Sequence, residues 1–286
     1  MKKILVTGAN GQLGKELRDL ASAHPDLEFL FLSREDLPIH HFELVRNMFA
    51  SFSPDYCINC AAYTAVDKAE QEAELAQVVN ATSVGILAAV SAAHDCRFIH
   101  VSTDYVYGGD ASEPYTEDSP TAPTSVYGKT KLAGEQEAIQ NDPLALVIRT
   151  SWVYSYHGNN FVKTMMRLMK DRKEISVVND QKGSPTWAAD LASFILNIIS
   201  QSQWHPGIYN YSNDGEITWY DFALEIKRLI GADCIVHPIP SSAYPTPAKR
   251  PAYSVLDKQK IKRVFGIDPE SWKLSLEKCV SRLQKS

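Results

Sequence analysis

The stretch that most constrains this chain is its first fourteen residues. Ile4, Leu5 and Val6 form a short apolar run, the pattern of a strand buried on both faces. Gly8, Gly11 and Gly14 follow at three-residue spacing, and Leu13, Leu17 and Leu20 then mark one face of a helix. Strand, glycine turn and helix start in that order describe a dinucleotide-binding turn. Gly8 permits the tight turn, Gly11 admits a pyrophosphate to the backbone, and Gly14 lets the helix pack close to the sheet. The helix N-terminus offers N–H groups and partial positive charge to the phosphates.

The chain has 286 residues, 44% of them hydrophobic, enough for a large core in one domain or in one large plus one small. A net charge of −5 gives no electrostatic reason to expect a nucleic-acid partner. No apolar run is read as reaching the roughly 18 residues of a membrane span, and the glycine turn stands too close to Met1 for a signal peptide to precede it. A cytoplasmic protein, with no membrane partner, is expected. Five cysteines, an odd number, argue against a disulfide framework. Cys57 and Cys60 are spaced as C-x-x-C but sit in an apolar strand pattern, where three residues' separation sends them to opposite faces. They read as small core residues. His40 and His41 read as loop residues in water, and no metal site is expected.

Residues 27–32 read as the second strand. Ser33, Arg34, Glu35 and Asp36 follow where an adenosine ribose would lie, and a basic residue there pairs with a 2′-phosphate. Arg34 favours NADPH, with NADH admissible because Glu35 and Asp36 adjoin it. Residues 42–52 read as a helix and Tyr56–Cys60 as the third strand. Small residues after that strand, Ala61 and Ala62, allow close approach to the ribose or nicotinamide side of a cofactor. Residues 68–94 read as one or two helices containing Asn80, either an exposed amide or a brace for the sheet. Arg97–Val101 form the fourth strand, followed by Ser102, Thr103, Asp104 and Tyr105 at its C-terminal edge. Residues 109–123 form a surface loop, Tyr127–Lys131 open a helix, and Leu144–Ile148 form another strand. The alternation predicts an α/β fold with a Rossmann-type doubly wound parallel sheet. Residues 1–150 form the dinucleotide-binding domain. Helices are expected near 160–171, 188–201, 218–230 and 271–284, and strands near 175–178, 207–210 and 234–237. A proline-rich extended segment is expected over 238–251. Residues 151–286 thus read as sheet-completing elements plus a smaller C-terminal substrate-binding lobe.

Tyr127 and Lys131 are four apart on a helix and share a face. At about 5 Å and an effective dielectric of about 20, an ammonium stabilises a phenolate by roughly 3 kcal/mol, or about two pKa units. That predicts a Tyr127 phenol made more acidic by Lys131 and suited to general acid catalysis. The lysine can also hold cofactor ribose hydroxyls. Thr103 would share charge developing on a carbonyl oxygen.

The order of glycine turn, Ser102-Thr103-Asp104 and Tyr127-x-x-x-Lys131 resembles the extended short-chain dehydrogenases/reductases. Nearly the whole chain is similar to one family among them, the dTDP-4-dehydrorhamnose reductases. The matching stretches are Gly8–Gly14, Asn59–Glu70, Ser102–Tyr107, Tyr127–Lys131, Arg149–Tyr154, Gly183–Thr186 and Arg250-Pro251. The resemblance implies NAD(P)H-dependent reduction of the C4 ketone of dTDP-4-dehydro-L-rhamnose, and a monomer or homodimer is expected. It implies Thr103, Tyr127 and Lys131 as the catalytic group. Gly8, Asn10, Gly11, Gln12, Leu13, Gly14, Ala61, Ala62 and Tyr63 would line the cofactor. Asp104, Trp152, Asn160 and Arg250 would join Thr103 and Tyr127 around the substrate, Arg250 toward its diphosphate. In one departure, Pro38 stands where the family usually carries an acidic residue that touches the adenine. A 4,6-dehydratase would need a Glu acid where Tyr105 stands. An epimerase shares the tyrosine and lysine, and a regulatory subunit like that of methionine adenosyltransferase shares the fold without needing the acid.

Overall fold

Strand β1 (Lys2–Thr7) is an inner strand of the sheet, with Ile4, Leu5 and Val6 wholly buried. The structure is a computed structural model describing residues 1–201 and 203–285. After β1 come α1 (Gln12–Ala21), β2 (Leu27–Leu32), α2 (Phe42–Phe52), β3 (Tyr56–Asn59), α3 (Val66–Ala69), α4 (Ala73–Gln77), a π turn (Val78–Thr82) and α5 (Ser83–Ala93). Then follow β4 (Arg97–Thr103), a 3₁₀ turn (Asp104–Val106), α6 (Val126–Asn141), β5 (Leu146–Thr150), β6 (Val153–Tyr154), α7 (Phe161–Asp171) and β7 (Glu174–Val178). The rest is β8 (Lys182–Gly183), β9 (Thr186–Trp187), α8 (Ala188–Ser200), β10 (Gly207–Asn210), β11 (Ile217–Thr218), α9 (Trp219–Ile230), β12 (Ile235–Ile239), a 3₁₀ turn (Ser241–Ala243), α10 (Gln259–Phe265) and α11 (Trp272–Lys285).

Six strands form one parallel sheet in the order β10-β5-β4-β3-β1-β2. Alternating residues feed two cores. Ile4, Val6, Ile58, Ile99, Leu146 and Ile148 meet Leu13 and Leu17 of α1 and Leu191 and Ile195 of α8. Leu5, Cys57, Phe98 and Val147 meet Val45 and Phe49 of α2 and Val84 and Leu87 of α5. This is the doubly wound arrangement expected from the strand and helix alternation. Cys57 lies in one core and Cys60 packs against the other, as strand geometry requires. Burial pushes the Cys60 thiol up to about 12, the signature of a packing residue rather than a reactive one. The last strand, β10, and the helix α8 come from beyond residue 150.

A separate core holds the second half together. Val162 and Met165 of α7, Phe222 and Ile226 of α9, and Leu276 and Cys279 of α11 pack with Ile175 and Val236 of the β7–β12 pair. One reading of the sequence needs correction. Residues 73–93 form one helical run of 21 residues that is apolar enough by composition to cross a membrane. Polar residues at Gln77, Asn80, Thr82, Ser83 and Ser91 interrupt its apolar pattern, and 56% of its apolar window is buried inside the protein. Elsewhere, Glu16, Asp19 and His157 bring ligand atoms within 4.8 Å of one another. The Arg282 guanidinium stands 3.6 Å from both carboxylates and supplies a cation of the protein's own to the group.

Candidate active site

The glycine turn lies at the C-terminal end of β1, between β2 and β3, where the order of the sheet reverses. In open α/β sheets ligands bind at that crevice. A cavity of about 470 Å³ opens there, lined by Gly8, Asn10, Gly11, Arg34, Ala61, Ala62 and Tyr63 among others. Gly8 has φ +65° and a Cβ on it would come within 2.5 Å of the Ala61 nitrogen, so only glycine serves. Gly11 is the N-cap of α1 and makes no side-chain cap, leaving first-turn N–H groups for an anion. Gly14 packs differently from expectation: its missing Cβ would strike Gly8 O and Ala9 Cα, so it seats the helix on the turn itself. Gln12 is tied by its Oε1 to Asn160 Nδ2 at 2.9 Å, and Leu13 is buried in the core rather than on the cavity wall. Arg34 is exposed at the rim, while Asp36 turns its carboxylate back to the Ser33 N–H at 2.9 Å. The residues present fit a dinucleotide: a glycine cradle, an uncapped helix and a basic group beyond β2. Pro38 and Ile39 also line this cavity.

A brace that the spacing left undecided secures the loop after β3. Asn80, wholly buried in the π turn, accepts the Tyr63 N–H at 2.8 Å and donates to the Tyr63 carbonyl at 3.1 Å and to Thr130 Oγ1 at 3.1 Å. Local π turns mark functional positions in helices often enough; here the wider turn aims an amide at the cofactor loop. The Tyr63 hydroxyl reaches Glu72 at 2.5 Å.

Beyond the loop stand the residues expected to do chemistry. Thr103 ends β4, donates its hydroxyl to Asp104 Oδ1 at 3.0 Å and accepts the Tyr105 N–H at 3.3 Å. Tyr127, in the first turn of α6, has Thr103 beside its phenol and packs edge-on to Tyr105 at 5.6 Å. Gly128 makes the approach possible, since a Cβ there would lie 2.3 Å from Tyr105 O. Asp104 is 2% exposed, and its Oδ2 has no hydrogen-bond partner. Burial raises its carboxyl to about 6, with the nearby Ser254 hydroxyl and the Thr103 hydrogen bond opposing the rise. Ser254 Oγ in turn adjoins Gly183, whose other neighbour is the Trp152 indole. Trp152 has φ +46° and stacks on Trp219 at 3.6 Å. A non-glycine residue held in that region is strained, and such strain gathers at functional sites. Thr103, Asp104, Tyr127 and Trp152 thus come to one edge of the sheet. Ser254 and Trp219 join them without any motif in the sequence to mark them.

Three expected roles are modified by the geometry. Lys131 is buried, its Nζ 2.7 Å from Val101 O and 3.2 Å from His100 Nε2, with no hydrogen bond to Tyr127 among the described residues. The phenol is accordingly not made more acidic: burial first, then Asp104 and Tyr105, push Tyr127 well above the usual tyrosine range, with Thr103 opposing. A four-carbon stem allows a lysine on the right helical face to reach inward to a strand carbonyl. Asn160 caps α7, accepting the Lys163 N–H at 3.1 Å and donating to Gln12 Oε1, Ser155 O and His157 O. Its Nδ2 hydrogens are shared among three acceptors of the protein, which leaves one lone pair of Oδ1 for a further partner. Arg250 is not a free cation: its guanidinium meets Asp67 at 2.6 Å and Tyr105 Oη at 3.4 Å, pinning the proline-rich segment against α3.

The family model described as the RmlD substrate binding domain matches residues 1–285. A dTDP-4-dehydrorhamnose reductase from Aggregatibacter actinomycetemcomitans is 40% identical, covering 97% of this chain and 98% of its own length. The crystal structure of a dTDP-4-dehydrorhamnose reductase from Clostridium acetobutylicum superposes with a TM-score of 0.95 at 42% identity, over 99% of both chains. That of the Bacillus anthracis dTDP-4-dehydrorhamnose reductase, in complex with NADP, gives 0.94 at 38% identity over 99% of this chain and 100% of that one. The chain therefore belongs to the RmlD substrate-binding-domain family.

Proposed function

We propose that this protein reduces the C4 ketone of dTDP-4-dehydro-L-rhamnose to the alcohol with NADPH, giving dTDP-L-rhamnose. The observation that carries the reading is Tyr127 beside Thr103 at the C-terminal end of β4, in the same parallel sheet whose β1 ends in the glycine-turn cavity. The Bacillus anthracis relative, with its NADP, supports the cofactor, and the relatives' names support the substrate. Gly8, Asn10, Gly11, Ala61, Ala62 and Tyr63 would hold the dinucleotide, with Arg34 toward a 2′-phosphate. The nicotinamide, when bound, supplies the hydride.

The protein's own residues supply the rest. Tyr127 keeps its proton throughout neutral pH because burial disfavours its phenolate. A phenol that holds its proton is charged for reduction, where the new alkoxide must be protonated, and ill-suited to the reverse oxidation. Thr103 offers a second hydroxyl to the carbonyl oxygen as negative charge grows there. Asp104, with one carboxyl oxygen unpartnered, and Trp152 would position the sugar, and Lys131 would meet the cofactor ribose. Residues 1–150 would form the dinucleotide domain and 151–286 would complete the sheet and supply the substrate lobe. The cytoplasm is the compartment this reading implies, with the protein a monomer or homodimer. The test is incubation with dTDP-4-dehydro-L-rhamnose and each reduced nicotinamide. Loss of nicotinamide absorbance with formation of dTDP-L-rhamnose supports the reading; tightly retained NAD with interconversion of sugar epimers would replace it.

A further inference from the structure

Two buried polar atoms stand near each other in the candidate site, and neither is satisfied. Asp104 Oδ2 and Ser254 Oγ have no hydrogen-bond partner among the described residues, though each residue is only 2% exposed. Buried polar groups are nearly always paired, so an unpaired one calls for an explanation. The two lie close enough that the Ser254 hydroxyl opposes the rise of the Asp104 carboxyl. Asp104 in turn helps to push up the Tyr127 phenol, which sets both atoms near the proposed proton donor.

Ser254 is held there by backbone on two sides. Its N–H donates to Lys182 O at 2.8 Å, and the Lys182 N–H donates to Ala252 O at 2.8 Å. The Tyr253 N–H donates to Gly109 O at 3.0 Å. Gly183 keeps the space open. A Cβ there would come within 2.9 Å of Ser254 Oγ and 2.6 Å of the Trp152 indole, so the hydroxyl and the indole flank one bare backbone position.

The chemistry of the two atoms decides what would satisfy both. At about pH 8 a carboxyl with a midpoint of about 6 is ionised, and a carboxylate only accepts. Ser254 Oγ has a hydrogen to donate. A ligand hydroxyl meets both needs at once, donating to one atom and accepting from the other. A ketone or ether oxygen cannot donate, and a methyl group does neither. In 4-dehydro-L-rhamnose the reacting C4 has two carbon neighbours: C5 carries a methyl group and C3 a hydroxyl. Thr103, which would share charge on the C4 oxygen, is bonded to Asp104 at 3.0 Å, so the carbon beside C4 falls to Asp104.

We propose that Ser254 is a specificity-determining residue of the reduction: it donates to the C3 hydroxyl of the sugar, which donates to Asp104 Oδ2. This rests on the reductase reading above and adds to it a requirement for a hydroxyl next to the ketone. A sugar without that hydroxyl would leave both buried atoms unpaired, the situation in which a polar site discriminates most strongly.

The test is calorimetric titration of the whole protein at about pH 8 with dTDP, dTDP-L-rhamnose and the 3-deoxy analogue of dTDP-L-rhamnose. The unaltered protein should bind the 3-deoxy sugar at least about tenfold more weakly than dTDP-L-rhamnose. Ser254→Ala should weaken dTDP-L-rhamnose by about fivefold, the scale of one hydrogen bond, and leave dTDP and the 3-deoxy sugar unchanged. Ser254→Cys keeps the shape with a weaker donor; the same selective loss is expected of it, and it decides alone if Ser254→Ala does not fold. Equal losses for all three ligands overturn the proposal, because a packing role is blind to C3. So does affinity for dTDP-L-rhamnose that the folded variants leave unaltered. Failure of the unaltered protein to bind either dTDP or dTDP-L-rhamnose is a different result: it overturns the reductase reading itself, and this proposal with it.

Discussion

Asn80 grips Tyr63 by both of its backbone groups, accepting the N–H at 2.8 Å and donating to the carbonyl at 3.1 Å. The same amide reaches Thr130 on the helix that carries Tyr127 and Lys131, so one residue ties the cofactor loop to the chemistry. Asn80→Ala leaves three partners unsatisfied in a buried place. We expect a stability loss of about 1–3 kcal/mol, read from urea midpoints, and weaker NADPH binding, read from nicotinamide fluorescence. NADPH affinity equal to that of the unaltered protein would count against the brace.

Removing the phenol hydroxyl should separate binding from chemistry. Tyr127→Phe is expected to bind NADPH normally while turnover falls at least about a hundredfold, the usual scale for a positioned acid. The ring's contact with Tyr105 survives the change, so folding should be unaffected. Turnover that persists at the original level would remove Tyr127 from the mechanism.

Asp104 predicts an inverted pH dependence of stability. Its carboxyl is raised by burial from 3.8 to about 6, so the folded state binds the proton more tightly than the unfolded one. The stabilisation from that proton is complete below about pH 4 and is lost as pH rises through about 6. The displacement, roughly two pH units at about 1.4 kcal/mol each, amounts to about 3 kcal/mol. Asp104→Asn should therefore be more stable than the unaltered protein at pH 8 by up to that amount, and no more stable at pH 4. Melting temperatures at the two pH values test this; a gain at pH 4 alone would reverse the assignment.

Arg34 stands exposed at the cavity rim, and the neighbouring Asp36 carboxylate is occupied by Ser33. A 2′-phosphate would then meet the Arg34 cation with the Asp36 carboxylate turned away, Glu35 being the acid that shares the cavity wall. Arg34→Ala should weaken NADPH by about tenfold, the cost of one charge-assisted contact of roughly 1.4 kcal/mol, and leave NADH nearly unchanged. Equal losses for both cofactors in parallel titrations would return Arg34 to the role of a solvated surface charge.

The sheet was legible because its determinants are local. Apolar runs at Ile4–Val6 and Leu146–Ile148 and the helix spacing of Leu13 and Leu17 state strand and helix without tertiary help. What resisted reading depends on partners distant in the chain. Strands of two residues such as β6 and β9 are defined only by pairing with each other, and α10 is too short to carry a clear period. The helix spacing of Tyr127 and Lys131 correctly placed them on one face but said nothing of rotamer, and Val101 O decided where the ammonium carbon chain ends. Asn160 looked like a sugar ligand because a cap and a ligand use the same amide; Ser155 and Gln12 revealed the cap. Ser254 and Trp219 carried no pattern at all, and only packing around Gly183 and Trp152 brought them in.

Reaction of dTDP-4-dehydro-L-rhamnose with NADPH bearing deuterium at the transferable position tests the central claim most directly. Mass and NMR analysis of the sugar should find one deuterium, at C4 of dTDP-L-rhamnose, with that label absent from product made by Tyr127→Phe because almost none forms. A product labelled at another carbon, or unlabelled sugar released while the nicotinamide stays reduced, would contradict direct hydride delivery to a ketone protonated by Tyr127.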